Sequence, residues 1–368
     1  MKKILVVFGT RPEAIKMCPL VLELKRRKKF DIKICVTGQH REMLDTVLKV
    51  FDIVPDFDLN IMQTKQTLFD ITSRILDKLN VVLEDYRPDL VIVHGDTTTS
   101  FASALSAFYK QIPVAHVEAG LRTHDLQEPF PEEFNRQAIS LITRYHFAPT
   151  EYAKSNLISE GKPDSNIYVT GNTVIDAMKT TVSKEYFHKE IEWAKGSRLI
   201  LMTVHRRENI GKPMEDIFLA MKCVVERHKD VKIIYPIHMN PSISKISKSI
   251  LVNHERIHLI EPLDVVDFHN FISRCYIIVT DSGGIQEEAS SFGKPVLVLR
   301  NTTERPEGIE AGTLKLVGTR YENVLMNVEQ LLSDQDLYAS MSTAKSPYGD
   351  GRASEYISNI LEGELSNE

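Results

Sequence analysis

The sequence predicts an α/β protein built from two doubly wound halves, and three observations carry that expectation. The chain has 368 residues, more than one ordinary core accommodates. Short runs of continuous apolar and β-branched residues alternate with longer helical patterns, which is how parallel strands covered on both faces read. These runs fall into two sets of six, separated by the strandless polar stretch 179–198.

In order, the first set is KILVVF (3–8), DIKICV (31–36), DLVIVH (89–94), PVAHV (113–117), YHFA (145–148) and IYVT (167–170). The second is LILMTV (199–204), VKIIYP (231–236), IHLI (257–260), YIIVT (276–280), PVLVL (295–299) and LKLV (314–317). The expected domains are 1–171 and 172–350, and after the turn cluster Pro347, Gly349 and Gly351 a last amphipathic helix in 351–368 packs back on the first domain.

Composition excludes several classes. Hydrophobic residues make up 42% and charged residues 26%, with a net charge of −5 and both signs interspersed, so neither a nucleic-acid nor a membrane surface is expected. The opening MKKILVVFGTRPEAIK reads as a strand rather than a targeting segment, because its apolar run is interrupted at Gly9 and followed by Arg11, Glu13 and Lys16. Four scattered cysteines, with no C-x-x-C, argue against a disulfide framework or a zinc site and for a reducing cytoplasm. Neither G-x-G-x-x-G after a strand nor G-x-x-x-x-G-K-[ST] occurs, which disfavours nicotinamide oxidation and P-loop phosphoryl transfer; no cofactor is expected.

Ligands of open parallel sheets sit beyond the carboxyl ends of strands, so residues there carry the chemical argument. After the first strand, Thr10 and Glu13 have capping-box spacing around Pro12, while Arg11 and Lys16 also suit an anion. Asp96 in HGDTTTS reads as a helix N-cap or as a functional acid. In HVEAGLRT, His116 and Glu118 interrupt an apolar strand end, where a carboxylate is costly unless paired or used. Glu132 and Glu133 in PFPEEFNR start a helix whose dipole favours acids anyway. In the second half, TVHRRENIG puts His205, Arg206 and Arg207 after a strand. TDSGGIQEEAS then delivers Ser282, Gly283 and Gly284 to a helix start, a seat for phosphate. Glu288 lies behind that seat at a reach suited to ribose hydroxyls. His238 in PIHMNP reads by itself as a packed or turn histidine.

Together FGTRPEAIKMCPL, VTGQHREMLD, HGDTTTS, HVEAGLRT, PFPEEFNR, TGNTVIDA, HRREN, TDSGGIQEEAS, GKPVLVLRNTTERPEG and SPYGDG resemble the non-hydrolysing UDP-N-acetylglucosamine 2-epimerases, in the same order from Gly9 to about Arg352. The resemblance implies two Rossmann-like domains in a glycosyltransferase-B-like fold, an interdomain active-site cleft and a homodimer. It implies reversible conversion of UDP-GlcNAc to UDP-ManNAc for surface polysaccharide, through loss of UDP to a glycal and its re-addition. Asp96, Glu118, Glu132 and His205 are then catalytic. Arg11, His205, Ser282 and Gly283 match phosphate contacts, with Lys16 and Gly284 in the same substrate seat, Glu288 on the ribose and Phe268 beside the uracil. Arg305 and Glu304 belong near the cleft. Gln39, Arg206 and His238 match a second, activating substrate site in some members; Glu42 and Lys65 depart from that pattern and leave activation open. A hydrolysing epimerase, a glycosyltransferase of the same fold and a silent sugar-nucleotide sensor are the competing readings.

Overall fold

The computed structural model describes residues 1–38, 41–63, 66–303 and 305–366. Gln39, Lys65 and Glu304 lie outside the described residues, as does the side chain of Glu42. The chain forms two compact units, one of Met1–Thr180 with Tyr348–Glu368 and one of Thr181–Pro347.

The first unit holds a sheet of β1 (Lys3–Phe8), β2 (Asp31–Val36), β3 (Phe57–Asp58), β4 (Leu90–His94), β5 (Val114–Val117), β6 (Tyr145–Ala148) and β7 (Ile167–Val169). Its order is β3-β2-β1-β4-β5-β6-β7, with every neighbouring pair parallel. A set of six was expected here, and β3 is the addition. It is two residues long, pairing Phe57 and Asp58 with Cys35 and Val36, too short to leave an apolar run in the sequence.

The second unit holds β8 (Arg198–Thr203), β9 (Val231–Pro236), β10 (Ile257–Ile260), β11 (Ile277–Thr280), β12 (Val296–Val298) and β13 (Leu314–Leu316), in the parallel order β10-β9-β8-β11-β12-β13. Alternate residues of one strand enter opposite cores. Ile200 and Met202 pack into one cluster with Phe218, Val224 and Tyr235, while Leu199 and Leu201 pack into another with Phe271, Ile272 and Ala289. Burial on both faces is why these strands read as unbroken apolar runs.

In both sheets the chain reverses its direction of travel once. The reversal lies between β1 and β4 in the first and between β8 and β11 in the second, opening a crevice at the carboxyl ends of those strands. The turns that leave them carry Gly9–Lys16, Gly95–Asp96, His205–Arg206 and Asp281–Gly284. Gly9 is obligatory at its turn, because a Cβ there would sit 1.9 Å from the Thr37 hydroxyl.

The division between units corrects the expected boundaries, since residues 172–180 and 348–350 sit with the first unit rather than the second. Hydrogen bonds explain the shift. The Asn172 amide donates to the Tyr348 carbonyl at 2.8 Å, and the Lys179 ammonium donates to the Gly351 carbonyl. The last helix, Ala353–Ser366, packs on the helix Arg11–Arg27, where Arg27 reaches Asn359 at 2.5 Å and Glu362 at 3.2 Å. Its first turn is capped from a distance: the buried Asp176 carboxylate accepts the Ala353 and Ser354 N–H groups at 3.1 and 2.9 Å. No described helix is long and apolar enough to cross a membrane.

Asp176→Ala removes the acceptor for both amides, a loss worth about 2 kcal/mol. Hydrogen exchange of the full chain should then speed up about thirtyfold across the amides of the last helix. Rates within about twofold of the parent would contradict this account of the cap.

Candidate active site

Around the first reversal, four turns bring charged side chains together. The turn after β1 starts the helix Arg11–Arg27 with the capping box expected from sequence, the Thr10 side chain accepting from the Glu13 N–H. Glu13 does more than cap. Its buried carboxylate accepts the Gly9 and Thr10 N–H groups at 3.0 and 2.7 Å and the Thr97 and Ser100 hydroxyls at 2.7 and 2.8 Å, tying this turn to the one after β4. With Glu13 so engaged, the same helix directs Lys16 into the site, and Arg11 stands exposed at its start.

Glu118 follows β5 in the left-handed region, at φ 63°, a conformation that a non-glycine residue adopts at some cost and that clusters at functional sites. One of its oxygens, Oε2, pairs with the Lys16 ammonium, accepts the Asn172 amide at 2.9 Å and lies 3.7 Å from His94 Nε2. Burial pushes the Glu118 pKa up, but Lys16 and His94 outweigh it and hold the carboxyl well below the usual range.

Asp96 follows Gly95, itself left-handed at φ 65°. Loss of solvation raises the Asp96 pKa and the nearby Glu118 and Glu132 carboxylates add to that, while Arg136, 3.4 Å away, and Lys16 oppose it; the net direction is upward. Glu132, half-buried, opens the helix Glu132–Ile142, and Arg136 on that helix also pairs with Glu133 at 3.1 Å. Two carboxylates shifted in opposite directions, Asp96 and Glu118, therefore meet at the ends of β4 and β5, with the Glu132 carboxylate near enough to act on Asp96, an arrangement suited to proton exchange at carbon.

The second unit builds its site on the buried carboxylate of Asp281, directly after β11. It accepts the His205 N–H at 2.9 and 3.1 Å through its two oxygens, the Arg206 N–H at 2.9 Å and the Asn209 side-chain amide at 3.0 Å. It thereby fixes the turn after β8 against the turn Ser282–Gly284. The His205 ring faces Asp281 at 3.4 Å and stacks on His238, with centroids 5.5 Å apart. Burial lowers the His205 pKa; Asp281 resists, and His238 and Arg206 assist.

Ser282 precedes the helix Gly283–Ser290 without using its side chain as a cap. The first N–H groups of that helix have no partner inside it and point outward past two glycines. Glu288, on the same helix, lies 3.7 Å from Nε2 of the buried His269, whose Nδ1 is 2.7 Å from the Thr181 hydroxyl.

Phe268 is partly buried against the core cluster of the second sheet. Arg305, expected to serve the substrate, is almost wholly buried and donates to Glu287 at 2.6 Å, joining the helix Gly283–Ser290 to the segment before Pro306–Glu310. Among the described residues, no group of three or more His, Cys, Asp or Glu side chains is arranged to hold a metal ion.

The structure thus gathers Arg11, Lys16, Asp96, Glu118 and Glu132 in one unit, and His205, Arg206, His238, Ser282–Gly284 and Glu288 in the other. Sequence reasoning missed His94, Asn172, Arg136, Asp281 and His269. Arg136 could have been found, four residues beyond Glu132 on the same helix face. Asp281, like Glu118, is an acid ending an apolar strand. Asn172 and His269 leave no such signal, since long-range packing alone gives them their partners.

The class comes first from the fold. The chain superposes on a crystal structure of a glycosyltransferase from Rickettsia africae with a TM-score of 0.63 at 13% identity, covering 100% of this chain and 99% of that one, a likeness of fold alone. Residues 22–362 match the family described as UDP-N-acetylglucosamine 2-epimerase. The UDP-N-acetylglucosamine 2-epimerase of Bacillus subtilis is 56% identical over 355 residues, 96% of this chain and 93% of that one. A crystal structure of the Neisseria meningitidis UDP-GlcNAc 2-epimerase bound to UDP-GlcNAc matches at a TM-score of 0.90 and 48% identity, covering 98% of this chain and 99% of that one. The chain belongs to the UDP-N-acetylglucosamine 2-epimerase family.

Proposed function

We propose that this protein interconverts UDP-GlcNAc and UDP-ManNAc by inverting carbon 2, without net hydrolysis. The observation that carries the reading is the carboxylate cluster, in which Glu118 is held as an anion while Asp96 is pushed toward its protonated form. Family membership and the Neisseria relative's bound UDP-GlcNAc supply the substrate.

In the forward direction a base takes the proton from carbon 2 as the bond between carbon 1 and the diphosphate oxygen breaks. The electrons of the C–H bond become the ring double bond of a 2-acetamidoglucal, and UDP leaves with the electrons of the C–O bond. UDP then adds back to carbon 1 while carbon 2 receives a proton on the opposite face. Inversion needs proton carriers on both faces, and Asp96 and Glu132, neighbouring acids beside Glu118, take those roles. Glu118 stabilises the positive charge that builds at carbon 1 as UDP departs. In the second unit His205, Ser282, Gly283 and Gly284 take the diphosphate, Glu288 takes the ribose, and Phe268 lies beside the uracil; in the first, Arg11 and Lys16 are substrate contacts. Arg305 acts through Glu287 by fixing the helix that carries the phosphate seat. Arg206 and His238 would belong to any second substrate site.

A homodimer accompanies this reading. Phe69, Phe108, Tyr109 and Leu141, on three helices of the first unit of which Thr98–Tyr109 packs against both others, expose 88%, 52%, 69% and 75% of their surface. The reading also puts the protein in the cytoplasm, supplying ManNAc units for surface polysaccharide.

Proton NMR of the protein with UDP-GlcNAc in deuterated water should show UDP-ManNAc carrying deuterium at carbon 2, with no free sugar accumulating. Free ManNAc would establish hydrolysis instead, and no change at all would remove the epimerase reading. In the same assay Glu118→Gln should lower turnover by at least about a hundredfold while leaving UDP affinity within about twofold. Unaltered turnover would remove Glu118 from the chemistry.

A further inference from the structure

We propose that His116 is a positioning residue that sets Asp96 against Glu118 by holding the peptide that joins Gly95 to Asp96; the inference rests on the epimerase reading. His116 lies in β5 and is wholly buried, at 0% exposure, inside a strand whose other residues are valine and alanine. Its Nε2 is 2.7 Å from the Gly95 carbonyl oxygen. A carbonyl only accepts, so Nε2 carries the proton and donates it.

The other end of the same glycine is also tied to β5, its N–H donating to the Val117 carbonyl at 2.9 Å. Gly95 stands in the left-handed region, and the carbonyl that His116 holds belongs to the peptide whose nitrogen is that of Asp96. Glu118 leaves β5 two residues after His116. One strand thereby fixes both carboxylates, Glu118 directly and Asp96 through an imidazole.

An imidazole is an expensive choice for this interior. Its Nδ1 is buried and finds no hydrogen-bond partner among the described residues, where a valine or leucine would pack with no polar atom exposed to that loss. Burial pushes the His116 pKa down to about 3, with His146, His94 and Arg122 nearby acting in the same direction and the bond to Gly95 opposing. The ring therefore stays neutral and serves as a fixed donor. What it gives in return is the orientation of the Asp96 turn, and a misplacement of about 1 Å at such a site costs on the order of a hundredfold in rate.

His116→Leu keeps an apolar filling but removes the donor, and His116→Gln retains an amide N–H able to reach the carbonyl. The leucine variant should lose at least about tenfold in kcat with KM for UDP-GlcNAc and Kd for UDP within about twofold, and the glutamine variant should return to within about threefold of the parent. A leucine variant with unimpaired kcat, or a glutamine variant as slow as the leucine one, would overturn the proposal. If the leucine variant does not fold, nitrogen NMR of the intact parent protein decides. His116 should be neutral with its proton on Nε2 from pH 8 to 5, and a proton on Nδ1 would overturn the assignment. That measurement needs no substrate, so an inactive parent protein would remove the epimerase reading and leave the tautomer to judge His116 separately.

Discussion

A carboxylate withdrawn from water has to be compensated by a cation, by hydrogen bonds or by a proton, and Glu118 has the first two. Lys16 from the helix after β1, Asn172 from the segment after β7 and His94 from the end of β4 all converge on one of its oxygens. This clamp draws three separate parts of the chain to one point. It also explains two oddities, the left-handed backbone of a glutamate and the assignment of residues 172–180 to the first unit. Once Glu118 is fixed as an anion, its charge acts on Asp96 and, with Glu132, raises that group's affinity for a proton. The difference between the neighbouring acids therefore comes from Lys16 and His94 lowering Glu118, while loss of solvation, with the charges of Glu118 and Glu132, raises Asp96 against the opposing pull of Arg136.

The second unit repeats the device in another form. Asp281 is as buried as the core around it, and it is satisfied mainly by backbone N–H groups rather than by a cation. The consequence is positional. His205 and Arg206 cannot swing away from the glycine turn, because their own backbone is bonded to the residue that precedes Ser282. Glu287 and Arg305 brace the same helix from its other side.

The fold was largely legible because parallel strands buried on both faces leave unbroken apolar runs, as LILMTV and IIVT do. The two-residue β3 left none, and the unit boundary was misjudged because the bonds of Asn172, Asp176 and Lys179 to Tyr348–Ser354 join parts of the chain far apart in sequence. At the site, Asp96, Glu118, Glu132 and the glycine turn stand at strand or helix ends, where local rules point. Glu13 met its expected capping role and a second one that local rules could not give, since Thr97 and Ser100 arrive from another turn. Arg305 reads as a substrate cation in TTERPEG, yet its partner Glu287 lies in a different motif, and only packing pairs them.

Glu118 and Asp96 are neighbouring carboxyls held in opposite directions. Because the Glu118 pKa is depressed in the fold, its pairing stabilises the protein above the ordinary carboxylate range and is lost as the pH falls through the folded value. Asp96, with a raised pKa, gives the reverse contribution, opposing folding at neutral pH and less so in acid. Carbon NMR titration of the side-chain carboxyls in the intact protein, assigned through Asp96→Asn and Glu118→Gln, would read both directly. The clamp predicts that Glu118 titrates below an ordinary glutamate and Asp96 above an ordinary aspartate. Two ordinary titrations, or the opposite order, would contradict it.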